Sequence, residues 1–231
     1  MGRRVLAVLI HGLLAGSLAL SGTPATTAQA KIDCAEVKCL ALTFDDGPGK
    51  STAKLLRVLK KERAKATFFL TGKYVDQRPA LAKRTLAEGH AIGNHTYSHF
   101  SLTPRLDDEI FDDIKAGQQA IKKATGLTAT MFRPPFGHTD ERVLRIADEL
   151  DLAEVKWTGT THDWALKDKK KIKAKVLSLA KRDGIILMHD TVPQTVQAMP
   201  EVIRELKKRG YHLVTVPQLY SGKLRSGVSY P

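Results

Sequence analysis

Leu40-Ala41-Leu42-Thr43-Phe44-Asp45-Asp46-Gly47-Pro48 is an apolar run that ends abruptly in two carboxylates and a Gly-Pro turn. A short apolar run bounded by turn residues reads as a buried strand over 40–44. Helical periodicity follows over 52–63, and a second apolar run over 66–70. The same alternation continues to the end of the chain. Strands are expected over 91–93, 130–133, 153–157, 184–188 and 212–215, and helices over 78–88, 106–124, 140–150, 168–181 and 196–208. Glycines support several boundaries, at Gly89, Gly126, Gly184 and Gly210. Alternation of this kind argues for an α/β fold whose parallel strands are joined by helical crossovers. Seven strands fit either a doubly wound sheet or an incomplete barrel.

The polar motifs all fall at carboxyl ends of these strands. Asp45-Asp46 follows the first and His95 to His99 the third. Arg133 ends the fourth, Asp163-Trp164 follows the fifth, and His189-Asp190 follows the sixth. In parallel barrels that is the face on which active sites assemble. One such cluster is unremarkable, but five on one face point to chemistry.

Neighbouring residues at a strand end point in different directions. One of Asp45 and Asp46 can therefore hold a cation while the other stays free as a base, although Asp pairs also serve turns beside Gly-Pro. His95 and His99 are four apart, so a helical turn there puts both imidazoles on one face. Two imidazoles and a carboxylate suit zinc, and three protein ligands with an open position make a catalytic arrangement. Arg133 precedes a rigid Pro134-Pro135-Phe136-Gly137 turn, where a guanidinium can orient a carboxylate. Trp164 offers a flat wall for a sugar, or core packing. His189 beside Asp190 has the makings of a general acid with a raised pKa. His90, His138 and His212 lack such a setting. His138 and His162 lie on loops close enough to touch substrate.

The first thirty residues stand apart. Two arginines precede an apolar stretch over 5–20, and small residues lead to Ala28-Gln29-Ala30, an A-x-A cleavage pattern. The stretch is shorter than the roughly 20 apolar residues that span a bilayer. A secretory signal peptide over 1–30 and a mature domain over 31–231 are expected, with a retained anchor as the alternative. No cysteine follows the apolar run to take a lipid. Setting aside Arg3 and Arg4, 35 Lys and Arg oppose 24 Asp and Glu, a net +11. Such a surface is drawn to polyanions. The chain carries no nucleic-acid recognition motif, so anionic wall polymers are the expected attraction. The densest basic run, over 167–175, reads as the solvated face of a helix. Cys34 and Cys39 form either a disulfide, which export permits, or two separate thiols.

With these motifs in their order, the chain resembles the polysaccharide deacetylases of the NodB-homology domain, the fourth carbohydrate esterase family. The likeness runs over about 39–220 and includes all five motifs of the family. It implies a distorted (β/α) barrel with seven or eight parallel strands. It implies Asp45 as catalytic base, and Asp46, His95 and His99 as ligands of a divalent metal, zinc before cobalt or manganese. Arg133 orients Asp45 and is tethered in turn by Asp163. Pro134, Phe136, Trp164 and Leu187 line the substrate and acetyl pocket, and His189 is the general acid. Four positions depart from the family pattern: Thr160 replaces a common acidic residue, with Thr158 and Gly159 altering the lead-in, and Phe136 replaces Tyr. The expected reaction is hydrolysis of N-acetyl groups on peptidoglycan or chitin-type glycans. The expected setting is outside the cell or in its wall, by a monomer without stable membrane insertion. An O-acetyl esterase of acetylated xylan and a non-catalytic carbohydrate binder are the rival readings.

Overall fold

The computed structural model describes Met1, Gly2 and residues 32–231. The leader expected over 1–30, beyond its first two residues, and the mature start at Lys31 lie outside the described residues. Among the described residues no helix is long and apolar enough to cross a membrane.

The chain first runs β1 (Cys39–Gly47), α1 (Thr52–Lys61), β2 (Thr67–Leu70), α2 (Gly72–Gln77), α3 (Pro79–Ala87), β3 (Ala91–Asn94) and α4 (Asp107–Thr125). It continues with β4 (Met131–Phe132), a 3₁₀ turn (Pro135–Gly137), α5 (Glu141–Glu149), β5 (Ala153–Val155), β6 (Gly159–Thr160) and α6 (Asp163–Leu166). It ends with α7 (Lys169–Leu179), β7 (Gly184–His189), α8 (Pro193–Lys208), β8 (His212–Val214), α9 (Val216–Leu219) and β9 (Ser229–Tyr230). The strands form one sheet in the order β6-β7-β1-β2-β3-β4-β5-β9, with β8 beside the start of β1. Every pairing is parallel. The sheet curls into the open, distorted (β/α) barrel that the family resemblance implies.

Side-chain alternation along the strands divides the core in two. Leu40, Leu42 and Phe44 of β1, Phe68 and Leu70 of β2, and Ile186 and Met188 of β7 face one way. They are covered by Leu55, Leu56 and Leu59 of α1 and by Val196, Met199, Val202 and Ile203 of α8. Each such residue contributes roughly 1.5–3 kcal/mol on full burial. The other face carries Ala41, Phe69, Met131, Val155 and Ile185. Asp45, Arg133 and His189 share the parity of this second face. The same period that builds the core therefore turns the polar strand ends inward.

The structure adds detail where periodicity is silent. Seven strands were expected and nine occur among the described residues, because β6 and β9 are two residues long and leave no pattern. The helix expected over 78–88 is preceded by α2. Arg78 breaks the two apart with φ −139° and ψ 53°, since Pro79 disfavours helical backbone before it and itself starts α3. The helix expected over 196–208 begins three residues earlier, at Pro193. On α7, Lys169 and Lys173 pair with Glu201 of α8, so the basic run is partly neutralised.

Cys34 and Cys39 are joined by a disulfide. Closing so short a loop stabilises the fold by about 2 kcal/mol on chain-entropy grounds. It ties the segment before β1 to Val214 of β8 in a small cluster with Leu219.

Candidate metal centre and active site

Arg133 is fully buried just beyond β4 and spends its donors on four acceptors. Nε donates to Val155 O at 2.9 Å, one terminal nitrogen to Thr43 Oγ1 and Asp45 Oδ1, both at 2.8 Å, and the other to Lys156 O at 2.6 Å. Its face lies 4.0 Å over the Phe69 ring. Burial pulls the guanidinium pKa down and Asp45 opposes this. A buried charge is retained only with such a set of partners. The consequence is a fixed Asp45 carboxylate whose second oxygen stays free, 3.9 Å from His95 Nε2.

Asp46 turns the other way. Its φ of 68° is left-handed, and the next residue must be glycine: a Cβ on Gly47 would stand 2.6 Å from Asp190 Oδ2. Asp46 Oδ1 lies 3.4 Å from His95 Nε2 and 3.0 Å from His99 Nε2. Burial pushes this carboxyl up, and the two imidazoles more than reverse that, holding it below the ordinary carboxylate range. The segment from His95 to His99 is not helical. Thr96 and His99 are both left-handed, and His99 N–H donates to Thr96 Oγ1 at 2.9 Å, which folds the second imidazole back beside the first.

Donor atoms of Asp46, His95 and His99 all lie within 4.8 Å of one another. Asp46 Oδ1 is buried yet accepts no hydrogen bond. The His95 Nδ1 lies 2.6 Å from Arg133 O, so it is the protonated nitrogen and its Nε2 lone pair faces Asp46. Facing lone pairs and an orphaned carboxylate oxygen are what a cation resolves. The donor set fits a zinc-type ion.

His189 ends β7 in register with Asp45 of β1, with Nε2 3.9 Å from Asp46 Oδ2. The partner expected for it was Asp190; the structure gives it Asp163 instead. His189 Nδ1 donates to Asp163 Oδ1 at 2.7 Å and its backbone N–H to Oδ2 at 2.8 Å. Thr195 and the Trp164 N–H, at 2.6 and 3.1 Å, complete that carboxylate. Asp163 was expected to tether Arg133, but the carbonyls of Val155 and Lys156 and the Thr43 hydroxyl do so. Burial pushes the imidazole pKa down, and Asp163, with Asp45 and Asp46 behind it, lifts it to about 9. Asp190 is withdrawn beneath the Gly47 turn, bonded to Thr52, and burial raises it to about 7.

The remaining expected contacts are placed as follows. Leu187 is buried at the β7 end beside His189, and Pro134 is buried before the 3₁₀ turn. Phe136 and Trp164 are exposed at 60% and 57%, on the rim. Phe136 is left-handed and stacks edge-on to His99 at 4.9 Å, and its N–H is bonded to no group among the described residues. His138 lies 5.7 Å from Phe136 and 2.9 Å from Ser101 Oγ. His90 is buried, accepts from Ala66 N–H, and is lowered to about 4 by desolvation and Lys65. Thr160 pairs β6 with β7 opposite Leu187. Sequence reasoning missed Thr43 and Thr195. Thr43 was legible, as the polar residue two before Asp45 on the inward parity of β1; Thr195 has no sequence signal.

The family model for polysaccharide deacetylase matches residues 33–155. The peptidoglycan-N-acetylglucosamine deacetylase PgdA of Listeria monocytogenes is 39% identical over 194 residues, 84% of this chain and 41% of that protein. The chain belongs to the polysaccharide deacetylase family. A peptidoglycan-N-acetylglucosamine deacetylase of Bacillus cereus is 38% identical, over 79% of this polysaccharide deacetylase family member and 88% of the relative. A solved structure described as T48 deacetylase with substrate has a TM-score of 0.83 at 38% identity, covering 87% of this chain and all of that one. The chain spans about two fifths of the length of PgdA and of some of its other curated relatives.

Proposed function

We propose that this protein removes N-acetyl groups from N-acetylglucosamine-containing polysaccharide, with peptidoglycan ahead of chitin oligomers, and does so outside the cell or in its wall. The observation that carries the reading is a base and an acid that both border one metal-binding trio, Asp45 3.9 Å from His95 Nε2 and His189 3.9 Å from Asp46 Oδ2. Asp46, His95 and His99 would hold a divalent ion, which when bound would supply Lewis-acid polarisation of the acetyl carbonyl and a more acidic water. Asp45, immobilised by Arg133, accepts the proton of the attacking water. The Phe136 N–H, unbonded among the described residues, would donate to the developing oxyanion. His189, charged and held by Asp163, gives its proton to the departing nitrogen. Water and amide thus become acetate and free amino sugar. The export pattern over 1–30 and the net +11 favour a wall setting. The peptidoglycan substrate named for the relatives above points the same way.

An O-acetyl ester on xylan can use the same groups, and a non-catalytic binder needs none of them. A substrate panel separates the three. Incubation with chito-oligomers, peptidoglycan fragments and acetylated xylan, read by mass spectrometry, is expected to show acetyl loss from the N-acetylated glycans. Acetate from xylan alone would establish the esterase, and no acetyl loss from any substrate the binder.

A further inference from the structure

A cavity of about 390 Å³ opens directly beside the metal trio and shares Asp46 and His99 with it. Its other walls bring Lys50, Lys73 and Arg78 together with Tyr74. Asp46 is the one acidic residue among those lining it, and it belongs to the metal ligands. None of the three cations is ion-paired among the described residues. Lys73 Nζ donates to Ser98 O at 3.0 Å, and Arg78 to the neutral Gln77 amide at 3.1 Å.

Some cations elsewhere on the surface are neutralised by carboxylates. Arg142 and Arg145 share Asp107, Lys169 and Lys173 share Glu201, and Arg204 pairs with Glu62. Helices α1 and α8 also begin at the rim of the cavity, and neither receives a side-chain cap hydrogen bond. Their N-terminal partial charges add to the positive potential. A concave site of this size holds a sugar-sized group. An acetamido group reacting at the metal trio places an adjoining unit of its glycan chain in this cavity.

We infer that the Lys50, Lys73 and Arg78 cavity binds a carboxylate carried by a neighbouring sugar of the glycan. The inference rests on the deacetylase reading and narrows it. Of the two N-acetylated glycans, peptidoglycan bears such a group where its stem peptide has been cleaved away, as the free lactyl acid of the muramic sugar, and chitin bears none. The site therefore selects peptide-free peptidoglycan strands over chitin by charge.

Lys50→Gln with Arg78→Gln tests this, because both side chains lie outside the core and Lys73 keeps its structural bond to Ser98. Kinetics on a peptidoglycan oligomer freed of its stem peptides and on a chito-oligomer give a ratio of kcat/KM values. That ratio is expected to fall at least tenfold in the double variant, through KM for the acid-bearing chain. Calorimetry supplies a readout independent of turnover, using an N-acetylmuramic-acid disaccharide and its methyl ester on the wild-type protein. The acid is expected to bind at least tenfold more tightly than the ester, and less so as salt rises. Equal affinity for acid and ester, or an unchanged ratio in the double variant, overturns the subsite. Preference for the acid without turnover of either glycan leaves the subsite standing and defeats the deacetylase reading instead.

Discussion

Asp45→Asn is expected to keep its metal and to lose about 10²–10⁴-fold in turnover, the range for removing a positioned base. Asp46→Asn and His99→Ala are expected to lose the metal itself, by more than the 10–100-fold that disturbing an outer partner costs. The two carboxylates are adjacent in sequence, yet their surroundings differ. One Asp45 oxygen is taken by Arg133 at 2.8 Å, and the other stands off from His95 at 3.9 Å. Asp46 Oδ1 lies within 3.4 Å of both imidazoles and has no other partner. Metal content and acetyl release, measured on the same samples, separate the roles. Equal metal loss in all three variants would contradict the assignment.

The second large effect concerns the acid. Asp163 is the principal group that lifts His189 above its ordinary value, to about 9. A general acid works while protonated, so activity is lost as pH rises through its pKa. Removing the Asp163 charge lowers that pKa, and the alkaline limb must move toward lower pH. Asp163→Asn is expected to shift the alkaline limb of kcat/KM by at least about one pH unit and to cost about 10²-fold or more at neutrality. The Asn amide can also donate to Nδ1 and turn the ring to the wrong tautomer. A metal-loaded variant whose alkaline limb coincides with wild type would show that His189 is not the group titrating.

Most of this framework was legible in the chain because periodicity and strand-end placement are local signals. The run from Leu40 to Phe44 announces its strand, and the motifs after each strand mark one face. Which groups meet on that face is decided by register. Asp163 reaches His189 because β6 lies beside β7, with Thr160 opposite Leu187. A two-residue strand leaves no pattern from which to read that pairing. Arg133 is held partly by backbone carbonyls of Val155 and Lys156, and carbonyls carry no residue identity. Sequence proximity suggested Asp190 for His189, but the turn at Gly47 closes over that carboxylate and buries it against Thr52. The left-handed residues Asp46, His99 and Phe136 are likewise invisible to propensity, and strain of this kind concentrates at functional sites.

Catalysis is expected to depend on one divalent ion held by Asp46, His95 and His99. Acetyl release from a chito-oligomer and a peptidoglycan fragment by chelated protein, titrated with zinc while metal content is measured, tests this. Activity is predicted to be absent in the metal-free protein and to rise linearly to a plateau at one ion per chain. Full activity without metal would show that the trio does not hold a catalytic ion.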